Sequence, residues 1–447
     1  MADPAGQSFD VVVIGAGPAA VAALLGLSPG LSVAAITGDQ PAQVLGKSLH
    51  PKITSVAFAR REAPGVADPL HPAHGNGRPL FATATTGGLA NYWGQQVVRL
   101  AEADPWPHAH FPDFACYQRH CADVEAAFTL SADHIVPSGA ANFDLRLPRL
   151  LLGTAAAPAA DLHAMRQAFA TVAVQAVVIA ARASAIVRHG RHWQVQLHNG
   201  TRITGKTILL AAGALGTARL LADSFPAITR TRLHDHAPWM AYHIGLGKLL
   251  RRRPALPFRH FNALTLERAD AAGTAVFASV YDIGAADVNL LLATAFGRSF
   301  GLLRGLRYDL RRGKAISLLQ PVQVWTRSTR DEIEIQPRTN RFERVSDATG
   351  ARDDPDLAAT LSFLRSQGGR NLATSRTRPG HGFHYHNLQI AADGAFTPVQ
   401  SFLETQTDGA VVCLDGSVLQ EIGVRPHTLT LMAVAHRVAS HFTATGR

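Results

Sequence analysis

The sequence predicts an α/β protein, α+β overall, with a Rossmann-like dinucleotide-binding domain joined to an antiparallel-sheet substrate domain. Three observations carry this prediction. A glycine-rich turn separates an apolar strand from an Ala/Leu helix near the N-terminus. Two further small-residue turns close buried strands near residues 213 and 416. Between them lies a middle third in which apolar and polar residues alternate, the period of half-buried strands. The chain has 447 residues, 47% hydrophobic and 17% charged, enough for a sizeable core and two or three domain-sized bodies. Its three cysteines, Cys116, Cys121 and Cys413, form no CxxC pair. That argues against a disulfide scaffold or zinc knuckle and fits a reducing compartment. The opening MADPAGQS has neither the basic nor the apolar stretch of a secretory signal, so a cytoplasmic location is expected. The formal charge of +10 would steer anionic substrates or acidic partners. No zinc finger, helix-turn-helix or RNP-like motif is present, so nucleic acid is not an expected partner.

The first element is FDVVVIGAGPAAVAALLGL, a strand over 11–14, a turn and a helix. Gly15, Gly17 and Ala20 match G-x-G-x-x-G/A in the context that fingerprint requires. Gly15 permits the tight turn, Gly17 admits a pyrophosphate to the backbone, and Ala20 allows close helix–strand packing. The next strand is expected over 31–36. The acidic residue that normally holds the adenosine ribose is replaced by Thr37, with Asp39 two residues on, so either Asp39 reaches the ribose from a slightly longer turn or a hydroxyl holds it more weakly. No second fingerprint occurs, which disfavours paired dinucleotide domains.

TTGGLANYWGQQVVRL (85–100) combines Gly87 and Gly88 with Asn91, Tyr92 and Trp93. Glycines let backbone lie against a flat ring, and an amide and aromatics can line its far side. GKTILLAAGALGTARLL (205–221) is a buried strand entering a helix through Gly213. The middle segment 237–380 reads as antiparallel strands over 275–283, 315–327 and 331–337. Between the first two, 287–314 is amphipathic, with leucines on one side and Arg304, Arg307 and Arg311 on another. Its basic part, 298–314, is a candidate contact for a membrane surface or an acidic carrier protein.

The last sixty residues carry the candidate chemistry. YHNL (385–388) is followed by a strand over 411–414, an acidic-Gly-Ser turn at 415–417, and a helix from His427 or Thr428 to about Ser440. His427 therefore sits at a helix N-terminus, where unpaired N–H groups and the dipole favour an anion or electron-rich ligand. Of the 21 histidines, those at 71, 74, 108, 110, 120, 189, 192 and 198 lie in polar or Pro-rich surroundings and are expected to face solvent. His384 and His386 are two apart, hence on one face of a strand, and either can supply the first reactive imidazole. A metal at this pair would need a carboxylate, and only Asp393 is near in sequence, so no metal is expected.

The order of these motifs resembles the glucose–methanol–choline (GMC) family of flavin oxidoreductases. The resemblance rests on GAGPAA, GGLANYWG, ILLAAGALGTARLL, LHDHAPW (233–239), YHNL and DGSV…PHTLTLMAVAHRVA, and covers nearly the whole chain. It implies FAD, with hydride passing from an alcohol carbon to flavin N5 beside a His base. Carried over residue by residue, it puts the base at His386 and its partner at His427, with Asp415 and Gly416 at the phosphate or ribityl chain. Thr428 would cap the last helix near the flavin. It implies a structural role for the Leu-x-Asp-His element at 233–236. Asn91-Tyr92-Trp93 stands where some members attach FAD through a His, implying non-covalent FAD. The sequence departs from the family at Gln389-Ile390, after the first His, and at Arg425-Pro426, before the last helix. With His384, Arg425 and Gln389 are therefore candidate substrate contacts. The implied organisation is an FAD-binding part over 1–236, with an excursion at about 101–165. A substrate part over 237–380 and a return segment over 381–447 complete it. Alternatives are an FAD-dependent oxidation, cyclisation or isomerisation in secondary metabolism, or a flavin-binding scaffold without catalysis.

Overall fold

The computed structural model describes residues 7–39, 66–72, 80–92, 95–137, 142–154, 164–252, 262–282, 319–346, 354–377, 380 and 382–442. The basic segment 298–314, Trp93 and Gly94 lie outside the described residues.

The first of three seven-stranded sheets is built on the strand Ser8–Ile14. It runs parallel to Val33–Ile36 on one side and to Arg202–Leu210 on the other. Ala176–Ile179 and Val411–Cys413 extend the parallel order at either side. The hairpin Ala183–His189/His192–Leu197 pairs antiparallel with the first half of Arg202–Leu210. Val11–Ile14 is apolar throughout because both faces of this strand are covered, as parallel sheets require. One covering layer is the helix Pro18–Gly26 packed on the last helix, Thr428–Ala439. A Cβ on Gly26 would lie 2.5 Å from the His436 carbonyl oxygen, so the helices approach too closely there for any other residue.

The second sheet is wholly antiparallel, in the order Arg370–Arg376, Trp239–Ile244, Leu319–Thr326, Gly273–Tyr281, Asn262–Asp270, Asp144–Arg146, Ile135–Val136. Along Leu319–Thr326 the alternation of a strand is plain. Val322 and Val324 enter a core closed by Leu357, Phe363 and Leu364 of the helix Pro355–Ser366, while Gln323 and Trp325 turn to the other face. The third sheet joins Tyr385–Ala391, Arg230–His236 and Arg330–Gln336, with His234 opposite His386 in register. The strand near 331–337 thus belongs to this sheet, paired also with Arg341–Ser346, and not with Leu319–Thr326 just before it. Sheet membership cuts across linear position, because residues 135–146 from the excursion also pair into the second sheet. Among the described residues, no helix is long and apolar enough to cross a membrane.

Candidate active site

An elongated cavity runs between the C-terminal ends of the parallel strands and the polar face of the antiparallel sheet. Such an edge is where open α/β sheets take their ligands. Gly15, at φ +130°, turns the chain off the first strand; a Cβ there would collide with the carbonyl oxygen of Ala211. Gly17 caps the helix Pro18–Gly26, and Gly88 faces it so closely that a Cβ on Gly88 would be 3.3 Å from the Gly17 Cα. Gly213, at φ +76°, caps the helix Ala214–Ser224 and has nothing within 4 Å of its absent Cβ. These turns make a backbone-walled groove at two helix N-termini, with no acidic residue in either first turn.

The supporting residues divide into two groups. Ala20 is fully buried against the sheet and does not line the cavity. Gly87 and Asn91 lie behind the wall: Asn91 Nδ2 donates to the Thr86 carbonyl at 2.9 Å and a Cβ on Gly87 would strike the amide. Asp39 is not a wall residue. Its carboxylate is 3.4 Å from Arg182 Nε and largely turned to solvent, while Thr37, Gly38 and Arg182 line that end of the cavity. The ribose-ligand expectation for Asp39 is therefore replaced by a second-layer ion pair, because the turn at Gly38 (φ +87°) carries the next side chain away.

Asp415 and Gly416 line the cavity from the turn after Val411–Cys413. The Asp415 carboxylate accepts from Thr217 Oγ1 at 2.6 Å and from the Ser417 N–H at 2.9 Å, clasping two cavity turns together. Burial pushes its pKa up, against those donors. A Cβ on Gly416 would collide with the Tyr385 carbonyl, so this turn packs directly on the histidine strand. Thr428, at the first position of the last helix, also faces the cavity.

Two imidazoles meet at one end of the wall, His384 and His427, with ring centroids 4.9 Å apart and planes at 84°. His427 precedes the last helix, and its buried Nδ1 makes no hydrogen bond within the protein. Burial lowers its pKa to about 4, so it is neutral at neutral pH. His384 stacks on Trp325 at 5.2 Å with planes 4° apart, and Trp325 Nε1 is held by the His236 carbonyl at 3.2 Å. The carboxylate of Asp235 accepts from the Gly380 N–H at 2.6 Å and from the backbone of His384. Burial raises Asp235 to about 7.

His386 does not line the cavity. It is fully buried behind the wall, 5.4 Å from the His234 ring, with Nδ1 3.1 Å from the His384 carbonyl oxygen. The expectation that 384 and 386 share a face fails because His384 precedes the strand Tyr385–Ala391. The left-handed Phe383 (φ +58°) turns the chain just ahead of it. Arg425 is also drawn away: Nη2 binds Glu267 at 2.6 Å, and Nη1 binds Asp104 at 3.2 Å and the Arg99 carbonyl at 2.9 Å. Gln389 sits in the strand opposite Arg232 and Pro398, off the cavity. Neither is a cavity contact.

The antiparallel sheet supplies wall residues that the sequence reading missed: Asn262, Tyr281, Gln323 and Trp325. Tyr281 Oη donates to Gln323 Oε1 at 2.5 Å. A glutamine between two core valines was the available signal, since a buried amide needs a reason. Of the histidines expected in solvent, His198 is exposed and borders the cavity's far end, whereas His120 is half-buried with its Nδ1 2.9 Å from His436 Nδ1.

No family model matches the chain, and no curated protein matches it. Solved structures of similar fold include pyridoxine 4-oxidase from Mesorbium loti, with TM-score 0.53 and 13% sequence identity. The alignment covers 97% of this chain and 99% of that chain. At that identity the likeness is one of fold, and it extends over almost the full length of both chains.

Proposed function

We propose that the protein is a GMC-like, FAD-dependent oxidoreductase acting on an alcohol-type C–H of a small organic or secondary-metabolite substrate. The observation that carries this reading is a pair of cavity-facing imidazoles, His384 and His427, at the end of a groove walled by Gly15, Gly17, Gly88 and Gly213. The similarity of fold to a solved oxidase supports it. The groove suits FAD: glycine backbone at two helix N-termini would meet the pyrophosphate, and Asp415 and Gly416 would flank the chain leading to the ring. FAD, when bound, supplies the hydride acceptor.

The protein's own work is to bind, orient and move a proton. The base role passes from His386 to His384, whose ring is on the wall and is fixed by Trp325 in front and Asp235 at its backbone. The alcohol hydroxyl would lie between His384 and His427, each able to accept a hydrogen bond as a neutral imidazole. His386 backs this pair and sets the strand. Tyr281, Gln323 and Asn262 would face the rest of the substrate.

Purified protein should carry FAD without a covalent link, released by denaturation. Anaerobic mixing with a panel of primary alcohols should bleach the flavin for some of them. His384→Ala and His427→Ala should retain FAD and slow its reduction by about 10²–10⁴-fold, the usual worth of a positioned acid–base group. Colourless protein that stays apo with added FAD would overturn the proposal.

A further inference from the structure

Outside the cavity, the helix Phe114–Ala126 crosses the last helix, and three ligand-type side chains meet at the crossing. His120 and Asp123 are three residues apart on one face of the first helix. His436 faces them from the second. The two Nδ1 atoms are 2.9 Å apart, and the Asp123 carboxylate joins them within a span of 4.8 Å. Both imidazoles are half-buried while Asp123 is exposed, so the cluster opens to solvent on one side.

We propose that His120, His436 and Asp123 bind a divalent transition-metal ion of the zinc type. Two imidazoles and a carboxylate, with the remaining positions open to water, form an established donor set for such ions. Two nitrogens bound tetrahedrally at about 2.0–2.1 Å lie roughly 3.3 Å apart. The observed separation of 2.9 Å needs a small outward shift of two side chains, within reach of rotamer adjustment. In the metal-free protein the two rings share one hydrogen bond, which demands a proton on one Nδ1; that proton leaves to solvent as the ion takes its place. The ion would staple the two helices about two turns from Thr428, beside the existing link between Tyr117 Oη and Thr430 Oγ1 at 3.0 Å. This site is separate from the cavity and does not depend on the flavin reading.

The test is zinc titration of the untagged full-length chain by calorimetry, with cobalt absorption as a second readout. One tight zinc per chain is expected. Asp123→Asn should weaken it about tenfold, and His120→Gln with His436→Gln by at least a hundredfold. Cobalt should give d–d bands in the native chain that the double variant lacks. Equal zinc binding by native and double-variant chains, or no binding by the native chain, would show a hydrogen-bonded pair only and overturn the proposal. If the double variant misfolds, Asp123→Asn alone decides: its carboxylate is exposed, and unchanged affinity and cobalt bands would sink the site as drawn.

Discussion

Thr217→Val isolates the clasp that holds two cavity turns together. Thr217 and Asp415 are both buried, and the hydroxyl donates to the carboxylate at 2.6 Å. Valine nearly matches threonine in shape, so the substitution removes one charge-assisted hydrogen bond and opens no cavity. A bond to an ionised group contributes about 1.5–3 kcal/mol, and its loss here leaves the buried carboxylate without its shortest donor, with the Ser417 N–H and the weak Cys413 thiol remaining. The bond joins the helix Ala214–Ser224 to the turn carrying Gly416, so its loss should fall on the geometry between them. At about 1.4 kcal/mol per tenfold, FAD affinity should drop by roughly 10–100-fold, with a lower melting temperature without cofactor. Thr217→Ser should restore most of both. The bond is strongest when Asp415 is ionised, so the defect should shrink as pH falls. Flavin fluorescence titration and thermal melts measure all three. A valine variant that binds FAD within twofold of native and melts at the same temperature would refute the clasp.

Two further outcomes follow from the same physical reasoning. Arg425→Ala removes the shared cation of Glu267 and Asp104, whose side chains are almost wholly buried. The stability cost should be about 3 kcal/mol in urea unfolding. The Michaelis constant should stay within threefold, since Arg425 is off the cavity; a large change in it would return Arg425 to the substrate. Asp235 is raised to about 7 by burial, so the folded protein keeps a proton there that the unfolded chain releases above its ordinary range. It therefore favours folding at low pH, and that contribution is lost as pH rises from about 4 through 7, roughly 4 kcal/mol when complete. Asp235→Asn should gain stability over native across that window, read from melting temperatures at pH 5 and pH 8. A pH-independent difference would count against it.

How far the site was legible depended on what kind of feature carried it. Gly15, Gly17, Gly213 and Gly416 could be read directly, because a turn that needs a bare backbone needs glycine wherever the chain later goes. The start of the last helix at Thr428 was legible from local sequence as well: a histidine and a threonine open a segment that is apolar but for Thr430 as far as Ala435. Asp39, Arg425 and Gln389 were misplaced because a side chain's destination depends on partners far away in sequence. Arg182 draws in Asp39, and Glu267 and Asp104 draw in Arg425.

The sequence by itself determined the parallel sheet, the glycine turns that wall the groove and a pair of histidines near residue 385. These rest on local rules of backbone conformation and hydrophobic period. Only the tertiary structure decided which histidine faces the cavity. One left-handed residue, Phe383, lies just ahead of it, and strand pairing with His234 turns His386 into the interior, leaving His384 on the wall. It also brought Gln323, Trp325 and Tyr281 over the groove from a sheet assembled from stretches of chain as far apart as 135–146 and 370–376. That assembly is set by which strands bury which faces against each other, and no single segment carries that information.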